Sequence, residues 1–172
     1  MSRFRIVPER SVVFIGAQST LHPINTRTNG LEGYLELDLG GNGAIEFGVP
    51  PSGRMSLLVT RLSSGNALED RELRRRIDAR RYPTIQGDLV EMHRADDDER
   101  YRVLGDLTCK GVTNRYEDEM RITAIDERTL RLEGESTFDV REFGIEPPRV
   151  LLLKVHPHVN VRVEIVAERE EA

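Results

Sequence analysis

A few residues in this chain could do chemistry by type and spacing. His156 and His158 flank Pro157, so an extended backbone there would turn both imidazoles to one face. A third donor such as a carboxylate would be needed to complete a metal site, and without it a surface loop is the plainer reading. Cys109 is the lone cysteine. With no His or helix N-terminus beside it in sequence to lower its pKa, it reads as an inert strand thiol rather than a nucleophile. Asp118, in "YEDEMRITA", shares a side with Tyr116, Met120, Ile122 and Ala124. Facing an apolar interior, its carboxyl would have a raised pKa and could orient a head group or act as a base; near the strand end it would only meet water. Arg71, Arg74, Arg75, Arg76, Arg80 and Arg81 could meet a phosphate head group or an anionic membrane, at about 1 kcal/mol per residue. Glu69, Asp70, Glu72 and Asp78 are interleaved with them, which favours a solvated helix with internal ion pairs. The sequence has no Gly-x-Ser-x-Gly elbow, no phosphate loop and no His-Glu-x-x-His. No cofactor and no resident metal are therefore expected.

The elements that must hold these groups are mostly strands, because period-2 alternation recurs along the chain. In "SVVFIGAQS" (11–19) Val12, Phe14, Gly16 and Gln18 form one side and Val13, Ile15 and Ala17 the other, so both faces are covered. "GYLELDL" (33–39) is half-buried through Leu35, Leu37 and Leu39. "GGNG" (40–43) turns into a short strand over 44–49, and "RMSLLVTRL" (54–62) reads as a strand. Helical spacing is convincing only over about 66–77, with Asn66 as N-cap, Glu69 as its capping-box partner, and Leu68, Leu73 and Ile77 facing the body. Asp70 with Arg74 and Glu72 with Arg76 are stabilising acid-before-base pairs. After Pro83, strands are expected over 84–93, 101–109, 114–125, 129–140 and 159–167. Seven or eight antiparallel strands and one helix imply a closed barrel or a sandwich, and strands of nine or more residues favour the barrel.

A chain of 172 residues suits a single domain over 1–172, large enough to bury roughly 70% of its unfolded surface without disulfides. "MSRFRIVPERS" lacks the apolar region of a signal peptide, and the longest apolar run, 150–153, is far too short to span a bilayer. Neither stable membrane insertion nor export is expected, which points to the cytoplasm. The net charge of -5 argues against a nucleic-acid partner.

The order of motifs resembles the YceI-like family over nearly the whole chain. "SVVF" (11–14), "LEDRELRRRIDARRYPTI" (68–85), "VLGDLTCKGVTN" (103–114) and "REFGI" (141–145) carry the likeness. The helix ending in Tyr-Pro-Thr-Ile and the later Gly-x-Leu-Thr-x-x-Gly-Val-Thr are the specific pieces, and both look architectural rather than catalytic. The resemblance implies a mainly β fold, an antiparallel eight-stranded lipocalin-like barrel whose apolar tunnel holds one extended polyisoprenoid or similar lipid. The chain departs from the family pattern at Gln18, where a His is usual, at Gly87, where a Phe is usual, and at Gly16, where a larger aliphatic is usual. Those changes would widen the tunnel or move its floor.

The function expected on that basis is binding, carriage or sequestration of an isoprenoid-like or fatty acyl chain, without catalysis. Candidate lining residues are Val12, Phe14, Met55, Leu57, Val59, Ile85, Leu89, Tyr101, Val103, Leu107, Tyr116, Asp118, Met120, Ile122, Leu130, Leu132, Phe138, Val163 and Ile165. About twenty buried methylenes at about 0.8 kcal/mol each would supply ample driving force before ordering costs. Two other readings stay open. Asp118, Tyr101 or Tyr116 could serve as acid/base groups of an enzyme inside the barrel. Alternatively, a filled barrel could be a protein-interaction module or homodimer, with the Leu-rich segment 150–155 as its contact.

Overall fold

A computed structural model describes residues 1–171; Ala172, the end of the single domain expected over 1–172, lies outside them. The strands are β1 (Ser2–Ile6), β2 (Val12–Ser19), β3 (Ile24–Thr28), β4 (Glu32–Leu39), β5 (Ile45–Glu46), β6 (Ser52–Leu58), β7 (Thr84–Arg94), β8 (Arg100–Cys109), β9 (Val112–Ala124), β10 (Thr129–Asp139), β11 (Arg149–Val150) and β12 (Leu153–Arg169). The α-helix α1 spans Ala67–Ile77. Antiparallel pairing runs β1-β4-β6-β7-β8-β9-β10-β12 and closes where β12 returns to β1, through Phe4 opposite Arg169 and Ile6 opposite Ala167. Eight strands thus form the closed ring, which leaves no free edge along it. Past β1, β12 continues against β2, and β3 continues along β2.

The register decides which faces turn inward. Val13 lies opposite Val163 and Ile15 opposite Val161, so the odd-numbered side of β2 joins the apolar side of β12 and the even-numbered side faces outward. In β7 a bulge between Leu89 and Glu91 shifts the alternation and brings Met92 into the core.

One half of the barrel is solid. Phe4, Leu37, Ile45, Leu130 and Ile165 are each at most 1% exposed, and burial of each such side chain contributes about 1.5–3 kcal/mol. That end is closed by the glycine-rich turn and β5. The Ile45 N–H donates to Tyr101 Oη at 3.3 Å and Arg94 donates to the Ile45 carbonyl at 2.9 Å. The strand expected over 44–49 is therefore only the two residues of β5, because this segment folds across the barrel end as a plug.

Other expectations are corrected too. β6 stops at Leu58 and Val59–Arg61 is a 3₁₀ turn. β12 starts at Leu153 rather than 159. β1 and β3 were not expected from the sequence; "INTRT" has no apolar residue after Ile24, and its strand pairing is supplied by β2.

Helix α1 starts where the cap signal put it. The Asn66 side chain accepts from the Leu68 and Glu69 N–H groups at 3.0 and 3.2 Å. The expected capping-box return from Glu69 is not made: the Asn66 N–H donates to Ser64 Oγ at 3.2 Å. Asp70 does not pair with Arg74 but accepts from the Ser64 N–H and hydroxyl at 2.8 and 2.7 Å. Glu72 does pair with Arg76 at 2.7 Å and also with Arg75 at 2.8 Å. Within the arginine run, Arg75 and Arg76 are thus engaged by Glu72, and Arg74 donates to the Thr60 carbonyl at 3.1 Å. Among the described residues no helix is long and apolar enough to cross a membrane.

Candidate functional site

Above the solid half, the barrel holds a cavity of about 420 Å³. Its walls are inward-facing side chains of six barrel strands and β2: Val13, Ile15 and Ala17 from β2, Met55 and Leu57 from β6, Ile85 and Gly87 from β7, Leu107 and Cys109 from β8, Met120 from β9, Phe138 from β10, and Val155, Val159, Val161 and Val163 from β12. Leu73 and Ile77 of α1, with Phe143 and Ile145, cover the top. Met120 separates cavity from solid core. It rests over Gly134, where an added Cβ would come within 3.3 Å of the Met120 side chain. Gly134 makes the room that Met120 occupies.

Polar lining is confined to Thr26, Ser64, Glu69, Asp70 and His156 among otherwise apolar walls. The Glu69 carboxylate is mostly covered and stands 3.9 Å from the His22 ring. Among the described residues no Lys or Arg is part of the lining. Cys109 faces the cavity, and burial pushes its thiol up to about 11, the charge of Lys110 offsetting only part of the rise. A group so hard to ionise is a poor nucleophile, in line with an inert strand thiol.

Of the candidate lining residues, the cavity brings together Met55, Leu57, Ile85, Leu107, Met120, Phe138 and Val163. Leu89, Tyr101, Val103, Ile122, Leu130, Leu132 and Ile165 belong instead to the solid half. Val59 packs under the top elements with Ile77 and Phe143. Val12 and Phe14 are corrections of face. Phe14 lies opposite Arg162, with the Arg162 and Arg27 guanidinium carbons 4.5 and 5.6 Å from its ring centroid. Those cations cover an outward-facing aromatic ring. Gly16 and Gln18 share that outward side, so of the three departures from the family pattern only Gly87 borders the cavity.

The candidate acid/base groups do not converge. Asp118 accepts from Ser136 Oγ at 2.9 Å and is not in the lining. The Tyr116 hydroxyl donates to Glu142 at 2.6 Å, and burial, reinforced by that carboxylate, pushes its phenol up to about 12. Tyr101 holds the plug at the opposite end. The two histidines are likewise split: His156 reaches the cavity rim, whereas His158 lies 3.8 Å from Asp139. Both sit in β12 rather than in a loop, and among the described residues no three His, Cys, Asp or Glu side chains gather for a metal.

Sequence reasoning missed Val13, Ile15, Ala17 and the valines at 155, 159 and 161. Alternation alone could not choose between two apolar faces of β2. The run Val159, Val161, Val163 was the available signal for β12, and pairing it with odd-numbered β2 residues would have selected the right face.

A family model described as YceI-like domain matches residues 4–167. No curated protein matches the chain. Among solved structures, BcnA from Burkholderia cenocepacia superposes with a TM-score of 0.76 at 16% identity, covering 94% of this chain and 98% of that one. A polyisoprenoid binding domain from Saccharophagus degradans, implicated in plant cell wall breakdown, also gives 0.76, at 10% identity over 99% of this chain and 100% of that one. The Campylobacter jejuni YCEI protein gives 0.62 at 15% identity, over 81% and 82% of the respective chains. At these identities the structural likeness is one of fold.

Proposed function

The chain belongs to the YceI-like domain family, and from that premise we propose that it binds one long-chain lipid, isoprenoid-like or fatty acyl, in the upper cavity and carries or sequesters it. The observation that carries this reading is the cavity itself, about 420 Å³, whose apolar walls are interrupted only by Thr26, Ser64, Glu69, Asp70 and His156. Its volume falls in the usual range for small-molecule sites. Each buried methylene supplies about 0.8 kcal/mol of gross driving force before ordering costs, and Met120 with the solid half bounds the length the cavity accepts. A longer chain projects from the mouth.

The polyisoprenoid-binding description of the Saccharophagus relative supports the class of cargo. The rim refines it. With Glu69 and Asp70 there and no cation in the lining, a head group that donates a hydrogen bond, such as an alcohol, suits the site better than a diphosphate. The reading is non-catalytic, since Asp118, Tyr101 and Tyr116 face elsewhere.

Titration with prenyl alcohols and fatty acids of increasing length tests the proposal. Affinity should climb with chain length until the cavity is filled and then level off, and prenyl alcohol should bind more tightly than the matching diphosphate. Leu107→Glu and Phe138→Glu, with the fold checked by circular dichroism, should abolish uptake. Binding that ignores chain length, or that survives both substitutions, would refute the cavity as the site.

A further inference from the structure

The strands β11 and β12 form a short hairpin at the cavity mouth, and its tip is unlike the rest of the surface. Leu151 and Leu152 are 95% and 92% exposed. Leu151 also holds a left-handed backbone, φ 55°, which a leucine rarely adopts. The neighbouring turn adds Leu21, 69% exposed. The two turns are tied together: the Thr20 N–H donates to the Lys154 carbonyl at 3.0 Å, and the Lys154 N–H donates to Thr20 Oγ1 at 3.1 Å. Isolated exposed leucines need no explanation, but three on two strapped turns do.

We propose that this hairpin docks the protein on an anionic lipid bilayer, with Leu151, Leu152 and Leu21 entering the acyl boundary. The flanking charges fit that occupant. Arg149 and Lys154 face each other across the hairpin immediately behind the leucines, and both side chains are exposed. They stand where anionic head groups lie when the tip is inserted. Of the acids on this side, Glu146 is engaged by Arg76, Glu69 is mostly covered beside His22, and Asp70 accepts from Ser64. The hairpin is also continuous with the cavity, because Val150 and Leu153 line it. A tip seated in the bilayer therefore sets the tunnel opening against acyl chains. A protein partner would need a patch near 800 Å² on this side, far broader than two turns offer. The proposal goes beyond the cargo reading and concerns a separate surface.

The test is flotation of the full chain with phosphatidylcholine vesicles, with and without one third phosphatidylglycerol, at low and high salt. Wild type should float with the anionic vesicles. Leu151→Asn with Leu152→Ser should weaken association by about tenfold or more without lowering the melting temperature, since Asn accepts a left-handed backbone. Arg149→Gln with Lys154→Gln should remove the salt-sensitive part only. The leucine variant should also slow lipid uptake from vesicles while keeping the final stoichiometry with detergent-dispersed lipid. Three outcomes would overturn the proposal: wild type that never floats, flotation indifferent to the leucines, or a concentration-dependent dimer dispersed by the same substitutions, which would make the tip a contact between copies. Failure of the cargo reading looks different, namely vesicle binding intact with no lipid retained.

Discussion

At the scale of single residues, the position that most directly sets the cavity is Gly87. A Cβ added there would meet nothing within 4 Å, and the residue borders the cavity. Gly87→Leu should therefore fill space without strain. It is expected to raise stability by about 0.5–2 kcal/mol, as cavity filling commonly does, and to shorten the longest chain that gains affinity. Thermal unfolding together with the chain-length titration checks both parts; an unchanged length limit would mean the side chain points elsewhere. Cys109 offers a second readout. Because burial holds its thiol up near 11, it should react with iodoacetamide far more slowly in the folded protein than in urea at pH 8, where about a quarter of an ordinary thiol is ionised. Equal rates would show the wall around it to be open. Phe14 shows how a residue-level reading goes astray. Its bulk suggested a lining role, yet the register with β12 sets it outward under Arg162 and Arg27.

At the scale of elements, the cover of the cavity rests on acid-labile contacts. Glu72 is held down to about 2, chiefly by its hydrogen bond from Arg75 and then by Arg76. Asp139, which accepts from the Arg141 N–H at the start of the 3₁₀ turn Val140–Phe143, is likewise held down to about 2 by Arg141. Unfolded carboxylates titrate near 4. Groups with depressed folded pKa values contribute stability that is full above the unfolded value and is lost as pH falls through the folded one. Stability should therefore drop as pH goes from about 4 to about 2, and Glu72→Gln should flatten that drop. A variant with the same acid dependence as wild type would remove Glu72 from the account. Separately, Asn66→Ala should cost about 1 kcal/mol through the lost cap, measured by urea unfolding. The cap was legible because Asn followed by a helical apolar spacing is a local signal. The plug at 40–47 and the 3₁₀ turn after Leu58 were not, because both are fixed by residues distant in sequence: Tyr101 and Arg94 for the one, and, for the other, the Pro83 carbonyl beside the paired strand β7, which accepts the Val59 N–H.

At the scale of the whole molecule, the barrel is solid at one end and hollow at the other. An antiparallel, strand-rich barrel or sandwich with one helix was readable from alternation and caps, since each depends on local spacing; the count of eight came with the family resemblance, and the ring strand β1 was not legible in the alternation. The division into filled and hollow halves was not legible either, because it depends on which strands meet at one height. Leu132 and Phe138 alternate on the same face of β10, yet one is core and the other borders the cavity. The two halves should respond differently to truncation. Leu130→Ala, in the solid half and fully buried, should cost about 2–5 kcal/mol. Phe138→Ala, which already faces empty volume, should cost less and enlarge the site; urea midpoints at constant slope separate the two, and equal losses would argue against a hollow half. The central claim, that the upper cavity is a lipid site, is tested most directly by the mass of the intact protein purified without detergent, measured with and without organic extraction. The expected result is a one-to-one complex with a long-chain lipid, lost on extraction and absent in Phe138→Glu. An apo mass that stays unchanged after incubation with prenyl alcohols and fatty acids would contradict the account.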